Sequence, residues 1–152
     1  MIQFKKARLN DIPIMQTLVQ PEIDTGIILT RSDDEVATNI RSYTLVLDEE
    51  KIIGFAALHI HAPDLAEIRS LIIDDAYRGQ KVGSRLVEAC VEEAHSLGLK
   101  RILVLTYMQA FFERLDFVEI PKESLPEHKI WADCIKCKHF PICNEVSLIK
   151  TL

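Results

Sequence analysis

A chain of 152 residues, 48% hydrophobic and 27% charged, is the size of one domain and long enough to bury a core. Its net charge of −5 argues against a protein that grips nucleic acid by neutralising phosphates. With no N-terminal apolar run suited to a signal peptide and nothing near the roughly 18 apolar residues of a membrane span, no membrane partner is expected and the reading is cytoplasmic.

Ile2-Gln3-Phe4 alternates as a short first strand. Asn10 or Asp11 then caps a helix that carries Pro13 in its first turn. Ile12, Met15, Leu18 and Val19 stand at helical spacing, and Pro21 marks the expected stop. A loop from Asp24 leads past Arg31 to Ser32, which with Glu35 makes the capping-box pattern of a second helix. Arg31, at the mouth of that helix, is either a solvated loop cation or a planar fork for a carboxylate ligand. The apolar runs Tyr43 to Leu47 and Ile52 to Ile60 flank a charged turn and read as an antiparallel hairpin. His59 and His61 share one face of its second strand. They could bind metal or stand beside a substrate groove, but no obvious further metal ligands lie nearby.

Ala66 to Ile73 is the central strand. The loop Arg78-Gly79-Gln80-Lys81-Val82-Gly83-Ser84 follows, with two glycines and two cations in seven residues. Next, a helix from Val82 to about Leu97 puts Val82, Leu86, Val87, Cys90, Val91 and Ala94 on one stripe, and Gly98 ends it. Arg101 to Thr106 is a buried strand, parallel to the central one through that helix. A short helix from Gln109 to Leu115, a strand from Phe117 to Ile120 and a last strand from Val146 to Ile149 complete the chain. The order describes an α+β (mixed α/β) fold, a twisted mixed sheet flanked by helices. It forms a single domain over 1–152, with a core of 1–120 and an extension of 121–152.

The loop at Arg78 has a physical meaning of its own. Glycines remove the Cβ atoms that keep a phosphate from the backbone. Unpaired amides and the positive end of the helix dipole then make an anion site. The segment resembles the Q/R-x-x-G-x-G/A stretch of the GNAT superfamily of N-acetyltransferases, with Arg78 and Gly83 in place and Lys81 where the middle glycine stands. The resemblance spans roughly residues 2–120.

That resemblance implies acetyl-CoA as co-substrate, its pyrophosphate held by Arg78, Gly79, Gln80, Lys81, Val82, Gly83 and Ser84. It implies a central strand that bulges and splays from its parallel neighbour. The Leu71 N–H would polarise the thioester carbonyl, and the backbone of Ile72 and Ile73 would pair with the pantetheine arm. Glu67, eleven residues before Arg78, would be the general base; its other reading is a rim carboxylate paired with Arg69. The family's acid, a tyrosine in Y-x-x-x-G-F, is replaced by Phe112 in Phe112-Glu-Arg-Leu-Asp116-Phe117, which leaves Tyr107 as the nearest alternative donor.

The wording from Gly26 to Ser32, the Phe111-Phe112-Glu-Arg segment and Leu125-Pro126-Glu127 resemble the acetyltransferase domain of N-acetylglutamate synthases. The implied acceptor is the α-amine of L-glutamate, for arginine synthesis, with Arg31 and Arg69 meeting its carboxylates. Another acceptor amine (a protein N-terminus, a polyamine or a xenobiotic), or a module that binds acetyl-CoA without turnover, are the alternatives. Cys134, Cys137 and Cys143 crowd the tail, with His139 or His128 as a fourth ligand. A structural zinc, an iron–sulfur cluster and a packed tail with no metal all stay open. The sequence does not report oligomeric state, and a homodimer is left open.

Overall fold

The computed structural model describes residues 1–121 and 145–152. Its strands are β1 (Ile2–Lys6), β2 (Tyr43–Asp48), β3 (Lys51–Ala62), β4 (Leu65–Ile73), β5 (Arg101–Thr106), β6 (Val118–Ile120) and β7 (Val146–Thr151). Its helices are α1 (Ile12–Asp24), α2 (Asp33–Thr38), α3 (Val82–Leu97) and α4 (Gln109–Glu113). The strands form one seven-stranded sheet in the order β1-β2-β3-β4-β5-β7-β6. Every neighbouring pair is antiparallel except β4 and β5, which α3 joins as a crossover. The mixed α/β fold is the one expected.

Helices cover both faces, so the sheet has two cores. On one face the α3 stripe Val82, Leu86, Val87, Cys90 and Ala94 packs against Ala56, Ile68, Ile102 and Val104. On the other, Ile12, Met15 and Val19 of α1 and Val36 of α2 pack against Leu45, Phe55 and Ile72. Each such side chain contributes about 1.5–3 kcal/mol when fully buried. Gly98, in the left-handed conformation at φ 85°, closes α3. Ser32 and Glu35 exchange the two hydrogen bonds of a capping box at α2.

Pro21 does not stop α1, which runs on to Asp24. The proline sits one turn from the end, where it removes a single ladder bond. The amides of Thr25 and Ile27 still find the carbonyls of Pro21 and Glu22. The helix after β5 ends at Glu113 rather than Leu115, and the strand that follows begins at Val118 rather than Phe117.

The central strand is irregular in a way that positions the site. Ile72 stands opposite Phe55, but Arg69 stands opposite Ala57. Three steps on β4 therefore match two on β3, which makes a bulge at Ser70 and Leu71. Ser70 takes a positive φ of 58°. An extra residue reverses which way later side chains point. Ile68 accordingly joins the α3 core and Ile72 the α1 core, while Leu71 packs on the α3 side. A regular strand would set Glu67, Arg69 and Leu71 on one face; the bulge turns Leu71 to the opposite one.

The parallel ladder is short. Leu65, Ala66 and Glu67 pair with Arg101, Ile102 and Leu103, and among the described residues it ends there. β5 continues along β7 as far as Thr106. Past Glu67 the two parallel strands diverge, leaving a wedge bordered by the backbone from Ile68 to Ile73.

Candidate active site

At the end of β4, Asp74 accepts the Ala76 amide at 3.0 Å and starts a turn. The Tyr77 hydroxyl donates to Asp48 at 2.7 Å and ties that turn to β2. Gly79 (φ 80°) and Lys81 (φ 64°) then both take left-handed backbone conformations, the second as the N-cap of the 16-residue α3. Turns of this kind bring successive amides to one side as an anion nest. Lys81 shows why the related motif has glycine at this position: a side chain there costs about 1–2 kcal/mol. Its ammonium adds positive charge to the positive end of the helix, which does not relieve that cost but favours a bound anion. Arg78 is half-exposed and paired with Asp75 at 3.0 Å and with Glu22 of α1 at 3.3 Å. A Cβ on Gly83 would meet the Phe111 ring at 3.5 Å, so α4 packs closely on the start of α3.

A second group of polar side chains lies on the α1/α2 face of the sheet. Register sets Tyr43, Ala57 and Arg69 in one row across β2, β3 and β4, and His59, Glu67 and Leu103 in the next. Arg31, Gln16, Tyr43, Phe55 and Ser70 line a single cavity between α1, the loop before α2 and the bulge. Gln16 donates to the Arg31 carbonyl at 2.9 Å and to Asp33 at 3.0 Å, which fixes the loop that carries Arg31. Burial pushes the Tyr43 phenol above its usual 10.0, while Arg31 and then Arg69 pull it back down. Both guanidinium charges are therefore felt at the Tyr43 hydroxyl.

Glu67 is 2% exposed, and its Oε1 lies 2.9 Å from Nε2 of His61. His61 is thus an ion-pair partner of Glu67. The His61 ring meets the His59 ring edge-on at 4.9 Å. No group of three or more His, Cys, Asp or Glu among the described residues is arranged to hold a metal. Cys134, Cys137 and Cys143, with His128 and His139, fall outside the described residues, and the zinc expectation with them. No helix among the described residues is long and apolar enough to cross a membrane.

The expected site residues thus fall into two groups. Arg31, Glu67 and Arg69 stand on the α1/α2 face; Leu71, Ile72 and Ile73 border the wedge that leads to the loop from Arg78 to Ser84. Tyr107 follows β5 directly and is 41% exposed. Phe112 is core, edge-on to Phe111 and Phe117. Sequence reasoning missed Gln16, Tyr43, Ser70 and Thr106. Tyr43 had a signal, since its phenol opens a strand whose centre is apolar; Ser70 stands in a strand that already carries Glu67 and Arg69. Thr106 ends β5, buried, and its Oγ1 accepts the Met108 amide at 2.9 Å.

Residues 15–117 match the acetyltransferase (GNAT) family. An uncharacterized N-acetyltransferase from Chlorobaculum tepidum is 33% identical over 148 residues, 97% of this chain and 95% of that one. An amino-acid acetyltransferase from Mycobacterium tuberculosis is 30% identical over 119 residues, covering 76% of this chain and 68% of that protein. The alignment with an amino-acid acetyltransferase of Pasteurella multocida, at 29% identity, spans 76% of this chain but only 28% of that protein. Among solved structures, N-acetylglutamate synthase from Neisseria gonorrhoeae, complexed with coenzyme A and N-acetyl-glutamate, superposes with a TM-score of 0.89. It is 24% identical, and the match covers 100% of this chain and 35% of that one. With the family matched over residues 15–117 and a 33% identical N-acetyltransferase aligned over 97% of this chain, the chain belongs to the GNAT family of acetyltransferases.

Proposed function

We propose that this chain transfers the acetyl group of acetyl-CoA to the α-amine of L-glutamate, giving N-acetylglutamate for arginine synthesis. The observation that carries the acceptor is the register row that holds Tyr43 and Arg69, at a cavity lined by Arg31 and Tyr43 and one row from a buried Glu67. Glutamate brings two carboxylates, and a planar guanidinium binds a carboxylate through two parallel hydrogen bonds. The names of the Mycobacterium and Pasteurella relatives support an amino-acid acceptor.

The fit to the co-substrate rests on this chain's own geometry. Two left-handed residues, the amides ahead of α3 and the Lys81 charge suit a diphosphate. The wedge beside β4 offers Ile72 and Ile73 backbone groups to an extended amide-bearing arm, as an added strand would use them. Acetyl-CoA supplies an activated thioester. The Leu71 N–H, next to the bulge, donates to its carbonyl oxygen. Glu67 removes the proton that keeps the acceptor amine from attacking, and Tyr107, at the mouth of the wedge, donates to the departing thiolate.

The test is thiol release from acetyl-CoA with a panel of amino acids and other amines. Release that depends on L-glutamate is expected. Release only with a polyamine, a peptide N-terminus or another amine would overturn the acceptor, and tight coenzyme binding without release would overturn catalysis.

A further inference from the structure

Glu67 is buried more deeply than a base in open contact with water, and its carboxyl shares that depth with His61, whose side chain is only 4% exposed. A carboxylate so placed loses hydration and needs a donor to remain charged. His61 reaches it through a second irregularity in the sheet. Ile60 pairs with Ala66 and Ala62 with Leu65, so β3 advances two residues while β4 moves one. His61 is the extra residue. In a regular ladder it would stand opposite Leu65, two pairs beyond Glu67, whose direct partner is His59. The bulge instead sets the imidazole over the carboxyl at 2.9 Å and brings the two histidine rings to 4.9 Å. Bulges beside sites commonly re-aim one side chain in this way.

From this geometry we infer that His61 is the positioning residue of the base, an inference that rests on Glu67 being that base. An ionised carboxylate accepts only, so the shared proton sits on Nε2 of the imidazole. Nε2–H donates to Oε1, holds the carboxyl ionised in one rotamer and leaves Oε2 to the acceptor. At Oε2 one N–H bond of the acceptor's ammonium breaks, its electron pair stays on nitrogen, and the proton forms an O–H bond. Nothing is oxidised or reduced. The charged and titratable groups around the pair are His59 on β3, Arg69 two residues along β4, and the Asp64–Arg101 ion pair at the β3–β4 turn.

The experiment compares His61→Leu, His61→Gln and Glu67→Gln in the full chain, by steady-state thiol release with L-glutamate as acceptor and by thermal melting. The leucine variant is expected to lose about tenfold to a hundredfold in kcat with the KM for acetyl-CoA unchanged. A glutamine amide places an N–H donor at a similar reach without titrating, so His61→Gln should recover most of that loss. Wild-type kcat in His61→Leu overturns the inference, and so does a glutamine variant as slow as the leucine one. If His61→Leu fails to fold, the glutamine variant decides alone: near-wild-type kcat supports the role and a large loss removes it. Undiminished turnover in Glu67→Gln would instead remove the base, and the inference with it. Loss in Glu67→Gln beside full activity in His61→Leu isolates the failure to His61.

Discussion

Arg31 and Arg69 come from distant parts of the chain, a loop and a strand, yet both lower the pKa of the same buried phenol. Surface cations are ordinarily separated by solvent and salt, which screen one from another. Here Arg31 lines a cavity walled by Met15, Val19, Val36 and Phe55, an apolar setting in which a bound carboxylate is worth more than at an open surface. Arg31→Ala should raise the apparent KM for glutamate about tenfold or more and leave the KM for acetyl-CoA unchanged. Arg31→Lys should fall between, because it keeps the charge and loses the fork. Steady-state titration of each substrate checks this, and an equal loss for both would show that Arg31 supports the fold rather than the acceptor.

At the scale of the element, the site is made by β4 and its defects. Gly54 lies where β3 crosses the bulged part of β4, and a Cβ there would stand 2.5 Å from the Ile72 carbonyl oxygen. No backbone atom can yield at that distance without moving the strand. Gly54→Ala should therefore destabilise by about 1–3 kcal/mol and also weaken coenzyme binding, since Ile72 borders the wedge. Urea melts and coenzyme titration test the pair of effects; lost stability with full coenzyme affinity would detach Gly54 from the wedge. The regular parts of β2 to β5 and α3 were legible in the sequence because their apolar periods are long and uninterrupted. Gly98 and the Ser32–Glu35 box were legible because caps are local chemistry. A bulge in the central strand was expected from the family resemblance. Its place at Ser70 and Leu71 and the second bulge at His61 were not legible, because a bulge is a relation between two strands and register is not written in either one. So the shared face of Glu67 and Arg69 could be foreseen, whereas the turn of Leu71 to the other face and the contact of His61 with Glu67 could not. The turn from Arg78 to Ser84 was readable from its glycines, but not that Lys81, a non-glycine residue, would take a left-handed conformation. Pro21 misled for a related reason: its cost depends on how near the helix end lies, which tertiary contacts of α1 decide.

For the whole molecule, the two cores differ in what they bury. The α1/α2 core holds the acceptor cavity and its charges, while the α3 core is apolar and contains the fully buried thiol of Cys90. Burial pushes that thiol up from 9.0 to about 12, with Glu93 adding to the shift and Lys6 opposing it. Tyr43, on the other face, is likewise held above 10.0 by burial. Both folded values lie above the unfolded ones, so the folded state keeps protons that the unfolded chain gives up. Their contribution is fully present below about pH 9 and is lost as the pH rises toward the folded values. One such group lowers stability by about 1.4 kcal/mol per pH unit across its window. The thiol acts from pH 9.0 to about 12, and the phenol joins above 10.0. The urea midpoint should accordingly hold steady near neutrality and fall from pH 9 upward. Cys90→Ala should lower the midpoint at neutral pH by the equivalent of about 1 kcal/mol, for the packing lost. It should also flatten the curve between pH 9 and 10, leaving a fall that begins where the tyrosine titrates. An alkaline limb unchanged in Cys90→Ala would mean that the thiol is not held neutral by the α3 core, and that the loss of stability starts on the acceptor face instead.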